Sequence, residues 1–308
     1  MKLVKILMLP ALMLACGCAM LMASPAPVAE VNAAGVQAAA AADSAIDSGL
    51  TFELINAGKA YAVSGCADEA VNVVIPSAYN GLPVVKIGDS AFRNRTNLVS
   101  VTFPNNAVTS IGVRAFSGCT NLSDVQLRNG LLEIGDYAFY GCAGLERVNM
   151  PNSVLAVGVR AFSGCTGLTD VTIPNFVTEI ADYTFYGCTN LSKVTIPNRV
   201  TVIGVRAFSH CTSLKDVTIP NSTTMTEIGD YAFYRCENLT KIQLSSSTSV
   251  IGQRAFSHCF KLNAVQVKGS ITEIGDYGFY RCESLTAIAI TANTVVGYRA
   301  FYLSSVVL

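Results

Sequence analysis

The sequence predicts a repeat solenoid of about ten coils, and three observations support this prediction. A segment related to Ile-Gly-Asp-Tyr-Ala-Phe recurs ten times, with its Phe at positions 92, 116, 139, 162, 185, 208, 233, 256, 279 and 301. The intervals are 22 to 25 residues, and a unit of that length cannot bury its own apolar side chains unless copies stack on one another. The composition is 51% hydrophobic and only 14% charged, which suits many inward-facing columns.

The N-terminal residues 1–22 are typical of a targeting signal, because Lys2 and Lys5 precede an apolar stretch that runs from position 6 to 22. Three outcomes remain open. Cleavage before Cys16 would leave a lipoprotein whose N-terminal cysteine carries a lipid. Cleavage further along, for example after Ala33, would release a soluble protein. If the segment is not cleaved, it would serve as a membrane anchor. Each outcome places the repeats outside the cytoplasm, and we expect membrane contact only through this segment.

The next two segments differ in composition and periodicity. Residues 23–49 are rich in Ala and lack a period, so we expect a disordered tether. Residues 50–70 predict an N-terminal cap, because the alternation about Asn56–Lys59 is typical of a β-hairpin that could cover the apolar end of the first coil. Residues 71–308 are then expected to form the solenoid.

One repeat, residues 168–188, shows how each coil is built. Leu168, Val171 and Ile173 have the spacing of a short strand that points these residues inward and Thr172 outward. Pro174 ends the strand because it has no N–H for a ladder.

A corner and a short helical turn are expected to complete the coil. The corner residue is Gly in nine of ten repeats and Ala181 in the fifth, so a positive φ is not strictly required there. The Ala, Phe and Cys that follow are expected to occupy a single helical turn that packs the Phe into the coil. Stacking would then place equivalent residues of successive coils in continuous columns.

The chain resembles a known family over about residues 50–308. The pattern C-x-x-L-x-x-V-x-I-P-x-x-V-x-x-I-G-x-x-A-F, over residues 188–208 and, apart from Ala181 and Thr184, over 165–185, is similar to the BspA-type leucine-rich repeat. The resemblance implies a leucine-rich repeat solenoid of the α/β type on a bacterial cell surface. It also implies binding to host extracellular matrix or plasma proteins, or to other cell surfaces, and it assigns no catalytic residue.

Charge and chemistry argue against several function classes. Lys plus Arg equals Asp plus Glu at 21 each, so no net field attracts nucleic acid, and nucleic-acid binding is not expected. The chain has no G-x-S-x-G motif, no Gly-rich phosphate loop and no convergent nucleophile and base, so we expect neither an enzyme nor a cofactor.

The cysteines and histidines are expected to have structural roles. Eight of the eleven cysteines follow a repeat Phe by three residues, and such a column predicts reduced, buried thiols. The two histidines, His210 and His258, are two coils or about 10 Å apart, which is too far for one metal ion to bind both. No metal site is predicted.

Two columns are candidate ligand surfaces. The outward strand positions are neutral and polar beside a column of alternating charge, and a column after the corner alternates Arg and Tyr. The candidate residues are Gln126, Thr172, Thr195, Thr218 and Gln243 on the strands, and Arg160, Tyr183, Arg206 and Tyr231 after the corner. The polar strand positions either bind a protein or glycan partner or are the solvated face of an ordinary sheet. In the second, each guanidinium can lie over a ring and near the Asp of the next coil, so it either binds ligand or holds the coils together.

These features predict an exported, cell-surface binding protein of adhesin-like function. The alternative is a structural spacer or envelope component without a specific ligand.

Overall fold

The computed structural model describes residues 49–103, 106–221 and 224–306. The predicted targeting signal with Cys16, and the predicted tether apart from Gly49, lie outside these ranges. Within the described ranges no helix has the length and apolarity that a membrane span requires.

The described chain begins with the predicted hairpin. Strands β1 (Thr51–Ile55) and β2 (Ala60–Gly65) pair antiparallel around a 3-10 turn at Asn56–Gly58. The rings of Phe52 and Tyr79 stack with centroids 4.0 Å apart, and both side chains pack against the core. The hairpin prediction is therefore confirmed, and β2 continues in parallel into the solenoid through β5 (Leu82–Ile87).

In the described residues, nine successive coils each contribute one strand to a first parallel ladder, which is divided into three segments. The central residue of each strand is buried and its neighbours face outward, as the period of two requires. These strands are β3 (Asn72–Val74), β6 (Ser100–Thr102), β8 (Asp124–Gln126), β10 (Arg147–Asn149), β12 (Asp170–Thr172), β14 (Lys193–Thr195), β16 (Asp216–Thr218), β18 (Lys241–Gln243) and β20 (Ala264–Gln266).

A second parallel ladder runs through the residues that precede the corner. Besides β5, which also pairs with β4 (Ala78–Tyr79), it contains β7 (Ser110–Ile111), β9 (Glu133–Ile134), β11 (Ala156–Val157), β13 (Glu179–Ile180), β15 (Val202–Ile203), β17 (Glu227–Ile228), β19 (Val250–Ile251), β21 (Glu273–Ile274) and β22 (Val295–Val296). Except between Val157 and Ile180, the register pairs each Ile or Val with its equivalent in the next coil, so the predicted columns are confirmed.

The repeat phenylalanines form a continuous stack inside the solenoid. Adjacent rings lie 4.9 to 5.7 Å apart at interplanar angles of 3 to 12°. Nine of the ten rings are almost fully buried, from Phe92 to Phe279. The Phe column is the centre of the core.

The predicted short helical turn is wrong in detail, because the segment around each Phe is a series of tight turns. Two residues before Phe116, Arg114 has a φ of 55°, and two residues after it, Gly118 has a φ of 78°. Left-handed residues at both sites prevent a helix from forming. Alternate N–H groups instead donate to the next coil, as Phe116 does to the carbonyl of Ala138 at 2.7 Å.

The corner glycines are required by the close approach of neighbouring coils. A Cβ at Gly158 would lie 2.5 Å from the backbone N of Asp136 in the preceding coil, and one at Gly204 would lie 2.8 Å from the carbonyl O of Ile180. Their φ angles are not left-handed. The inference from Ala181 that a positive φ is unnecessary at the corner is therefore correct.

Ala181 marks the junction where the second ladder is interrupted. The other corner residues donate their N–H to the preceding coil, as Gly158 does to Ile134, whereas no such bond joins Ala181 to Val157 in the described ladder. The rings of Phe162 and Phe185 are 5.7 Å apart here, the widest spacing in the stack. The added methyl group thus separates two coils and leaves a small, mainly apolar cavity beside it.

The eight periodic cysteines are free and buried, as predicted. Each thiol also donates a hydrogen bond to the carbonyl of the repeat Phe in the preceding coil, as Cys165 Sγ does to Phe139 O at 3.1 Å. The equivalent distances in the other coils are 2.9 to 3.2 Å. The thiols are therefore both fillers and weak donors between coils.

Candidate interaction surfaces

The strand face, defined as the outward side chains of the first ladder, presents the predicted polar column to solvent. Gln126, Thr172, Thr195 and Thr218 are exposed, and Gln243 is partly exposed. The described residues provide no hydrogen-bond partner for the three threonine hydroxyls, so these groups face water.

The flanking charges lie in register but do not pair directly. Arg147 lies opposite Asp170, and Asp216 lies between Lys193 and Lys241 in the ladder. Opposite charges in this register stabilise the pairing of strands. Among the described residues, however, none of these pairs is close enough for an ion pair, so the charged groups extend into solvent.

A shallow depression opens in the strand face between β12 and β14. β12 pairs with β10, and β14 pairs with β16, but no ladder joins β12 to β14 in the part of the chain that the structure describes. Thr172 and Thr195 line the depression together with Asp170, Asn175 and Lys193, above an apolar floor. Hydroxyl, amide and oppositely charged groups therefore converge on one concave site.

A second shallow depression lies two coils further on. Thr218, Lys241, Gln243 and Gln266 surround a floor that includes Ile242. Gln126 lies outside both depressions, where Arg128 donates to its Oε1 at 3.2 Å. The structure thus brings together Thr172 with Thr195, and Thr218 with Gln243, and separates Gln126 from them.

The Arg/Tyr column forms a continuous series of cation–π contacts between coils. Arg160 lies 4.3 Å from the ring of Tyr183 and 5.7 Å from that of Tyr137, while Arg206 lies 4.5 Å from Tyr231 and 5.7 Å from Tyr183. The rings of Tyr137, Tyr183 and Tyr231 are therefore each held between two guanidinium groups, which links successive coils. All four candidates are partly exposed.

The Asp residues of this segment bond to backbone and form no ion pair with the arginines in the described residues. Asp182 Oδ1 accepts the N–H of Val205 in the next coil at 2.7 Å, and Asp136 Oδ1 accepts that of Val159 at 2.8 Å. Equivalent bonds reach Val113, Gln253 and Tyr298. The expectation that each guanidinium lies near an Asp is therefore replaced by a link between coils that sequence reasoning missed.

A second column on the same turns is defined here as the outer turn column, the residues two positions after each repeat Phe. All of its members have positive φ angles: Asn94, Gly118, Gly141, Gly164, Gly187, His210, Arg235, His258, Arg281 and Leu303. Gly occupies four successive coils, and alternating His and Arg occupy the next four. An alignment of the repeats shows this difference between coils, but only the fold shows that the column lies at an edge of the solenoid that solvent reaches.

The two histidines are surrounded by aromatic rings and arginines. The ring of His210 lies 5.3 Å from that of Tyr186 and 5.4 Å from that of Tyr234. Partial burial, and then the charges of Arg235 and Arg206, lower the pKa of His210, and burial and arginines act in the same way on the pKa of His258. Within the described residues no cluster of three or more metal-ligating side chains occurs.

Comparison with known proteins agrees with this architecture. The model of the BspA type leucine rich repeat region matches residues 85–215 and 178–307, in six copies. The leucine-rich repeat protein TpLRR of T. pallidum is 30% identical with a TM-score of 0.56, and the match covers 70% of this chain and 88% of that one. The pneumococcal vaccine antigen PcpA is 17% identical with a TM-score of 0.50 over 84% of this chain and 87% of that one, which shows a shared fold.

The comparison with curated proteins gave no match. The repeat pattern, the stacked coils and the family match lead to one conclusion: the chain belongs to the BspA-type leucine-rich repeat family.

Proposed function

We propose that the protein is an exported, cell-surface binding protein of adhesin-like function that recognises a protein or glycan through its strand face. The observation that supports this most directly is the depression between β12 and β14. Neutral hydroxyls at its centre and opposite charges at its edges are suited to an uncharged or mixed-charge partner.

Family membership and the chain's chemistry point in the same direction. A solenoid offers an extended surface built from columns, and ligands of such proteins are contacted across several coils. The proposed partners are extracellular matrix or plasma proteins, or the surfaces of other cells. The proposal includes no enzymatic activity, no cofactor and no nucleic-acid partner.

The test is binding of the purified protein to immobilised matrix proteins, plasma proteins and bacterial cells, with a pair of matched variants. Thr172→Lys puts a long charged side chain into the depression, whereas Thr178→Lys makes the same change at an exposed position of the same coil, outside the depression. We expect binding to fall at least tenfold in the first variant and to stay unchanged in the second.

Equal binding by both variants would exclude the depression as the ligand site. Failure to bind any ligand of the three classes would favour the alternative, a spacer or envelope component whose repeats only project or cross-link.

A further inference from the structure

We propose a second ligand site, the segment of the outer turn column from His210 to Arg281, which binds a linear acidic glycan bearing carboxylate or sulfate groups. The site consists of His210, Arg235, His258 and Arg281. It lies on the turn segments, which are distinct from the strands of the first ladder, so it does not depend on the function proposed for the strand face.

The chain itself shows that the fold does not need these four side chains. The same backbone position is Gly at 118, 141, 164 and 187, with φ angles of 70 to 78°. The four His and Arg residues adopt φ angles of 56 to 64°, a conformation that glycine adopts without strain and that other residues adopt only at a cost. Because glycine at this position avoids that cost, four successive polar side chains here mark a candidate functional surface.

Aromatic rings alternate with the charged groups along the site. Ring centroids are 5.4 Å apart between His210 and Tyr234, 5.3 Å between Tyr234 and His258, and 5.3 Å between His258 and Tyr280. Arg235 lies 6.0 Å from the Tyr234 ring. Flat rings can pack against the C–H faces of sugars, and guanidinium groups donate in pairs to carboxylates and sulfates.

The local charge is positive although the whole chain is neutral. Arg235 contributes to the electrostatic field at both histidines, whereas Arg281 contributes at His258. Two arginines of the neighbouring Arg/Tyr column add to these fields, Arg206 at His210 and Arg254 at His258. The nearby acids are Glu237 and Glu283, and Glu283 lies 3.4 Å from Arg281. Arg235 is exposed and forms no ion pair in the described residues. Donors therefore remain for an anionic ligand.

The spacing of the site favours a repeating polymer. Arg235 and Arg281 are two coils apart, which is about 10 Å at the spacing of adjacent strands, and the two histidines have the same separation. A regular row of cations fits a chain with regularly repeated anions better than an irregular acidic protein surface.

The experiment measures binding of the purified protein to heparin, hyaluronate, neutral dextran and polyglutamate. The wild-type protein is expected to bind heparin or hyaluronate, more weakly as salt increases, and to bind neither dextran nor polyglutamate. The variant with His210→Gly, Arg235→Gly, His258→Gly and Arg281→Gly is expected to bind at least tenfold more weakly and to melt no lower than the wild type, because it restores the residue used by the earlier coils.

A matched control removes the same kind of charge elsewhere on the solenoid. The variant with Arg147→Ala, Arg199→Ala and Lys268→Ala should bind the acidic glycan as the wild type does, because these exposed residues lie outside the outer turn column and line neither depression of the strand face. An equal loss in this control would show that binding reflects general charge and would overturn the proposal.

A gain-of-function variant tests the site even if the quadruple variant does not fold. A Cβ at Gly164 or Gly187 would lie 3.6 Å or more from its neighbours, so Gly164→His with Gly187→Arg can extend the row by two coils. We expect affinity for long glycan chains to rise several-fold. Polyglutamate binding as tight as that of the glycans, no binding to either acidic glycan, or no change in both variants would each overturn the proposal.

Discussion

At the scale of single residues, the repeat Phe has the largest effect on stability. Replacing Phe162 by Ala removes a fully buried ring with neighbours at 5.2 and 5.7 Å, so we expect a loss of about 3 to 5 kcal/mol in the free energy of unfolding. Urea denaturation measures this value. Phe176→Ala, at a site that is 47% exposed, is the control and should cost much less; similar losses in both variants would contradict a core role for the stack.

Because of the two histidines, we expect the free energy of unfolding to decrease in acid. Their pKa values are lowered in the folded protein, so below about pH 6.5 the unfolded chain binds protons that the folded chain does not. Their contribution is therefore present above pH 6.5 and is lost as the pH falls. Unfolding curves at pH 7 and pH 5 should show a smaller decrease for the His210→Gly, His258→Gly variant than for the wild type, and an equal decrease would refute the effect.

At the scale of elements, the corner glycines control the distance between coils. Gly158→Ala would place a methyl group 2.5 Å from the backbone N and from Oδ1 of Asp136, and that oxygen accepts the N–H of Val159. We expect a loss of about 1 to 3 kcal/mol from this overpacking, measured by urea denaturation. Ala181→Gly makes the opposite change at the corner that carries a methyl group. It should lower the free energy of unfolding by no more than about 1 kcal/mol, which is the cost of the extra backbone freedom of glycine in the unfolded chain. Gly158→Ala as stable as the wild type would contradict this account.

The two candidate surfaces also belong to this scale, and the sequence identified them only in part. Alternation along the strand predicted that Thr172 and Thr195 point outward, and the structure confirms that they are exposed. The depression that joins them lies where β12 and β14 do not pair, and no local sequence pattern encodes that break. The Asp carboxylates were assigned to the arginines because charge suggests such pairs, whereas a backbone N–H of the next coil lies closer to them.

At the scale of the whole molecule, we expect the eight periodic cysteines to cause a steep loss of stability in alkali. Burial raises the pKa of Cys119 to about 12 and raises the pKa values of the other periodic cysteines, whereas thiols in the unfolded chain titrate near 8.5. The thiols' contribution is thus present below about pH 8.5 and is lost as the pH rises toward the folded-state values. Between these two pKa values, the free energy of unfolding falls by about 1.4 kcal/mol per pH unit for each thiol.

Urea midpoints between pH 7.5 and 10, with a reducing agent present, measure that slope. The Cys165→Ala, Cys188→Ala variant removes two of the thiols and should show a shallower dependence, while the Tyr and Lys groups that titrate nearby are the same in both proteins. Identical slopes would show that the thiols are not coupled to folding.

The sequence by itself determined the solenoid, its period, the inward columns and the capping hairpin, because each depends on which residues recur at equal intervals. Only the tertiary structure decided the tight turns in place of a helix, the thiol and carboxylate bonds between coils, and the ladder breaks beside Ala181 and Thr172. The physical reason is that periodicity specifies which residues align, whereas the distance between coils is determined by contacts of Cβ and backbone atoms that lie more than 20 residues apart in the chain.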